Sequence, residues 1–263
     1  MEVFRVVRIM CIMSIIATFM HVSVLFSQPE TSARQLNAQG YELYKQGKYE
    51  EALVFFEKAC NADTALDLAY YNYACTLGVL MKKDYPEWYE HKSTAFEYLK
   101  KAITINRSVI KKIKKDPDLE VLRQEFEYYR VIGLTTTKTS DVRTIMTSLT
   151  WYIHGQGVLA YIGGLKFFPD GTFKLWYHST EFFENFESND NYIYTGKFSI
   201  NHSKIRFEFD KPMLRKRSIE DIYSNKSILE SNTVLHGLLH TDGRLIIDGF
   251  EYTFFSWFDE FSA

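Results

Sequence analysis

From Leu36 to about Ile132, apolar and small residues recur at helical spacing. Leu36, Gly40, Leu43 and Gly47 fall at steps of four and three. Tyr49, Ala52, Leu53, Phe56, Ala59 and Cys60 form a second stripe after the Gly47-Lys48 break. Such stripes predict amphipathic helices facing a core. Tyr70, Tyr73, Ala74, Leu77 and Leu80 predict a third helix. Ala95, Leu99 and Ala102 predict a fourth, running from about Pro86 to Ile105, because Asp84-Tyr85-Pro86 reads as a helix start. Asp116 reads as the N-cap of a further helix with Pro117 in its first turn, and Leu119, Leu122, Phe126 and Tyr129 line one face of that helix.

The rhythm changes near Leu134. The polar run Thr135-Thr-Thr-Lys-Thr-Ser140 marks 134–149 as a linker or a first sheet edge. Beyond it the period becomes two and turn signals recur. Strands over 161–168 and 172–178 flank Pro169-Asp170-Gly171, a tight turn with a glycine for positive φ. Strands over 192–200 and 205–209 flank Asn201 to Lys204; strands over 233–240 and 245–247 flank Thr241 to Arg244; a last one spans about 250–257. Glycines inside these strands, such as Gly164, Gly196 and Gly237, favour a sheet that curls. The fold class is therefore α+β in two segregated domains: all-α over 35–133, and an antiparallel meander or small barrel over 150–263.

These residues carry two resemblances. Gly40, Gly47, Tyr49, Ala52, Phe56 and Ala59 stand at the small and aromatic positions of a tetratricopeptide repeat, and about residues 35–131 resemble that family. Gly40 and Ala52 would let two helices approach, with Tyr49 and Phe56 filling the space between. Two departures are Thr64, where the family usually has proline, and an insertion of about nine residues in the second unit relative to the family's period. The resemblance implies binding of a protein or peptide on a concave face, for which Tyr41, Tyr44, Lys45, Tyr71 and Asn72 are the candidates. The alternative is that these aromatics pack on neighbouring helices or on the β domain. Residues 150–257, with Phe-x-Pro-Asp-Gly-Thr-Phe and Asp-Gly-Arg-Leu-Ile-Ile-Asp-Gly, resemble lipocalin-like domains of the bacterial envelope. That implies a second function, a carrier holding a small hydrophobic ligand or lipid, with Trp151, Trp176, Tyr177 and Phe207 lining the pocket. The alternative is an interior filled by its own side chains.

The N-terminus supplies an address. Arg5 and Arg8 precede Ile9–Phe26, a run without Lys, Arg, Asp or Glu, and Ser27-Gln28-Pro29 ends it. That order reads as a signal peptide over 1–27, with 28–34 as a linker, and predicts export to the periplasm, the cell envelope or the exterior. An uncleaved leader would be the chain's contact with a membrane. Of three cysteines, Cys11 lies in the leader, and Cys60 and Cys75 sit where helical packing wants small apolar side chains, so buried thiols are expected.

The 263 residues carry 31 Lys+Arg and 33 Asp+Glu, a net charge of −2 with signs interspersed, so no basic stripe suggests nucleic acid. No Gly-x-Ser-x-Gly, Cys-x-x-Cys or His-Glu-x-x-His occurs. His236 and His240 share a strand face, but four residues of strand span about 13 Å, too far to grip one zinc ion. An acidic run around Glu181, Glu184 and Glu187, interleaved with Phe182, Phe183 and Phe186, and a basic run from Lys211 to Arg217 read mainly as solvated loops. The sequence thus predicts a non-enzymatic interaction protein with no cofactor, metal or catalytic residues.

Overall fold

The computed structural model describes residues 32–153, 162–179, 190–214, 231–247 and 253–255. The leader, the acidic-aromatic run and most of the basic run lie outside the described residues. Helix α1 (Ala33–Lys45) begins with a capping box: the Ser32 hydroxyl accepts from the Gln35 N–H at 3.3 Å, and Gln35 Oε1 accepts from the Ser32 N–H at 2.9 Å. Gly47, at φ 76°, breaks the chain before α2 (Tyr49–Ala62). Helix α3 (Asp67–Lys83) comes next.

The long helix expected over 86–105 is interrupted. A single turn (Tyr85–Trp88) and a 3₁₀ turn (Tyr89–His91) precede α4 (Lys92–Ile105). The break falls where Tyr89 and Lys92 both reach Glu125, each at 3.1 Å. Ala52, Ala59, Ala69, Ala74, Ala95 and Ala102 are all fully buried, so the helices meet through their smallest side chains. The Phe56 ring lies against Gly40, where a Cβ would stand 2.8 Å from it.

Asp116 caps as expected, its Oδ1 accepting from the Asp118 N–H at 3.0 Å, with Pro117 in the first turn. The helix it starts is short and broken: 3₁₀ turns at Pro117–Leu119 and Leu122–Gln124, then α5 (Phe126–Val131). The four apolar residues singled out for this face, Leu119, Leu122, Phe126 and Tyr129, are buried all the same.

The segment 134–149 corrects the sequence reading. It is neither linker nor sheet edge but contains helix α6 (Thr139–Ser148), and Val142, Ile145 and Met146 are fully buried on one face. Their spacing, continued by the buried Leu149, is helical; burying this stripe outweighs the weak helix propensity of the threonines around it.

Eight antiparallel strands complete the chain, each paired with the next: β1 (Thr150–Ile153), β2 (Ile162–Phe167), β3 (Thr172–Ser179), β4 (Asp190–Asn201), β5 (Lys204–Leu214), β6 (Ser231–Leu239), β7 (Leu245–Ile247) and β8 (Thr253–Phe255). The sheet closes into a barrel because β8 pairs back onto β1, Tyr152 opposite Phe255. Closure removes open sheet edges. The β2–β3 and β6–β7 turns are alike. Gly171 donates to Phe168 O at 3.1 Å and Gly243 to His240 O at 3.2 Å, with φ of 89° and 92°. In each, an aspartate (Asp170, Asp242) accepts from the backbone N–H two residues on.

In a meander of this kind alternate turns share one end of the cylinder. That end, carrying the β2–β3, β4–β5 and β6–β7 turns, lies against the helices. Thr139 Oγ1 accepts from the His202 N–H at 3.0 Å, Arg143 lies 5.3 Å from the Phe198 ring, and Phe126 sits under Gly243. Helices and strands are segregated along the chain, yet one hydrophobic cluster runs from α1 through α6 and Trp151 into the barrel.

Candidate functional site

The five residues singled out on the helical array lie on α1 and α3, and the structure brings them to one face. Tyr41 stacks on Tyr44, with ring centroids 6.1 Å apart and planes 5° from parallel. Tyr44 in turn meets the edge of Tyr49 at 5.3 Å. Lys45 Nζ lies 5.4 Å from the Tyr41 ring and 2.7 Å from Glu42. Asn72 donates to the buried Asn37 at 3.0 Å, joining α3 to α1.

This face already holds an occupant from the same chain. The turn at Asp116–Glu120 crosses it. Tyr44 donates to Asp118 at 2.5 Å, and Tyr71 donates to Asp116. The Cys75 thiol lies 3.6 Å from the same Asp116 oxygen, and Lys82 pairs with Glu120 at 2.6 Å. The Asp118 carbonyl presses on Gly78 so closely that no side chain could replace its hydrogen. Leu119, next in the turn, is fully buried.

The electrostatics arise from this closure. Burial, and then the neighbouring Asp118, push the Tyr44 phenol well above its ordinary range. Burial together with Cys75 and Asp116 does the same to Tyr71. Burial also raises the Asp118 carboxyl, against the hydrogen bond from Tyr44 that lowers it. Cys75 is raised by burial and by Asp116, and Cys60 is pushed up to about 12 by burial. Both thiols are free and buried. Tyr41 and Lys45 alone of the five stay exposed, Tyr41 at 48%.

The four candidates in the barrel do not form one lining. Trp151 and Phe207 are buried inside, Trp151 donating to Met146 O at 3.4 Å. Trp176 is on the outward side: it is paired with Gly164 and Ile193, its indole lies across Gly164, and Ile193 is 59% exposed. Tyr177 follows it in β3, and its side chain lies outside those described. The described interior holds Phe167, Phe173, Phe198, Phe207 and Phe209, whose rings meet at centroid distances such as 4.9 Å (Phe167–Phe198) and 5.2 Å (Phe173–Phe207).

Sequence reasoning missed Asn37, Gly78, Asp116 and Asp118 as members of the face. The Asp116-Pro117 cap was readable, but nothing local says which surface it meets. Among the described residues no three His, Cys, Asp or Glu side chains gather to hold a metal, and no helix is long and apolar enough to cross a membrane. No protein-family model matches the chain, and comparison with curated proteins gives no match.

Proposed function

We propose that this chain is an exported, non-enzymatic interaction protein of the bacterial cell envelope. In this reading its helical segment is a short tetratricopeptide-type array that holds a protein or peptide, and the barrel is its docking and stabilising partner. The alanine-mediated hairpins and the Phe56–Gly40 contact support the repeat-like reading of the helices. The observation that carries the partner site is the rim of the first hairpin. There an exposed tyrosine is held flat by stacking on Tyr44, beside the exposed Lys45. A preordered aromatic ring next to a cation loses little entropy on contact and suits recognition. Tyr44, Tyr71 and Asn72 are engaged within the chain, so the proposed contact narrows to Tyr41 and Lys45.

The test is a photo-crosslinking residue placed at position 41 and, as a control, at the exposed Lys111, each in the full chain in a bacterial envelope fraction. A discrete adduct at 41, absent at 111 and reduced at least fivefold by Lys45→Ala, supports the proposal. No adduct, or the same products from both positions, overturns it. The phenylalanine rings that fill the described interior weigh against the carrier reading.

A further inference from the structure

The outward side of β1–β4 differs from the rest of the barrel wall. The register aligns Tyr152, Gly164, Trp176 and Ile193 in one row across these four strands. The next outward row aligns Thr150, Lys166, Lys174 and Thr195, and Lys197 comes next on β4. Among the described side chains, no outward position of β1–β4 carries Asp or Glu, although at the β5 border Lys197 stands opposite Glu208 and Thr195 donates to Asp210 at 2.7 Å. On β5, by contrast, the outward residues mix signs, and Arg206 pairs with Glu208.

Ile193 is the most exposed of the large hydrophobic side chains among the described residues, at 59%. Trp176 lies across Gly164 and is half-buried. Lys166 stands directly opposite Lys174, an arrangement that costs stability when both are charged. Lys166 turns away, its Nζ donating to Leu149 O at 3.1 Å. Lys174 and Lys197 stay exposed and form no ion pair with a described residue.

We propose that this face rests on an anionic lipid bilayer, with Lys174 and Lys197 toward headgroup phosphates and Ile193 at the boundary of the acyl chains. Indole, aliphatic side chain and flexible ammonium groups on one stretch of outer wall are the chemistry of a bilayer interface, where aromatic rings sit at headgroup level and lysine stems reach to the phosphates. The net charge of −2 repels an anionic surface overall, so attraction has to come from a local face. Two lysines and one isoleucine give weak, reversible attachment, enough to orient the protein rather than to anchor it. The proposal is independent of the rim at Tyr41.

The test is sedimentation of the full chain with vesicles of pure phosphatidylcholine or of phosphatidylcholine with about a third phosphatidylglycerol. Binding to the mixed vesicles at least tenfold above the neutral ones at low salt, lost on adding salt, is the expected result. The double variant Lys174→Glu/Lys197→Glu should lower it at least fivefold, and Ile193→Ser should lower it severalfold. All three positions are exposed, and circular dichroism checks that the variants fold. Lys111→Glu/Lys114→Glu, on the helical segment, makes the same charge change and should leave binding unaltered. Absence of vesicle binding, equal binding to both compositions, or an equal loss in the two double variants overturns the proposal. An acidic protein as the true occupant would appear as the first of these.

Discussion

The Tyr44 hydroxyl on α1 donates to the Asp118 carboxylate, 74 positions along the chain, at 2.5 Å. With the Tyr71–Asp116 hydrogen bond, it fastens the Asp116–Glu120 turn across the face that α1 and α3 would otherwise present to solvent. Tyr44→Phe and Tyr71→Phe should each lower the free energy of unfolding by about 1–3 kcal/mol, because a part-buried carboxylate loses a donor. Urea denaturation measures this. No change would mean that the turn is held by Leu119 and Gly78 alone.

Asp118 gives this contact a pH signature. Its carboxyl is raised above the ordinary 3.8 by burial. A raised acid contributes stability that is present below the unfolded value and is lost as pH climbs through the folded value. Asp118→Asn, whose amide oxygen still accepts from Tyr44, should therefore remove a decline in stability that begins near pH 4, and should be at least as stable as the parent at pH 7. Thermal melts from pH 4 to 7 check it; a variant less stable than the parent at every pH contradicts it.

Gly171 and Gly243 occupy the same turn position with nearly the same φ, but only Gly243 faces a ring: a Cβ there would lie 2.5 Å from Phe126. Gly171→Ala should cost about 1–2 kcal/mol for the left-handed backbone alone. Gly243→Ala should cost about 1–3 kcal/mol more, for overpacking. Shortening the ring with Phe126→Leu should recover part of that excess, which a double-mutant cycle measures.

Ile145 on α6 is fully buried between the helices and the barrel. Ile145→Ala should cost about 2–5 kcal/mol. Helical circular dichroism and tryptophan fluorescence should still change in a single transition, because one core serves both segments. Two separate transitions would mean that helices and barrel unfold independently.

Cys60 and Cys75 should resist alkylation by iodoacetamide at pH 8 in the folded chain, since burial holds both as thiols. Both should react once the chain is unfolded in guanidinium, and mass spectrometry counts the adducts.

The hairpins are legible in the sequence because Asp-Gly turns and alternating apolar residues are local signals. The two α1–α2 stripes are legible for the same reason. Helix α6 is harder to see: Val142, Ile145, Met146 and Leu149 carry a helical spacing, but the threonines around them have weak helix propensity and mask it as a polar run. Trp176 and Tyr177 could not both line an interior, because adjacent strand residues face opposite ways. Closure of the α1–α3 face is not legible at all, since Tyr44 and Asp118 meet only through the fold, and their pairing leaves no trace in local spacing.

The helices lie against one end of the cylinder, the end with the tight turns. This gives the barrel a polarity that an isolated one would lack: one end is in contact with α6 and Phe126, and, among the described residues, the other is not. The helical segment therefore decides which end of the barrel is left to face away from it.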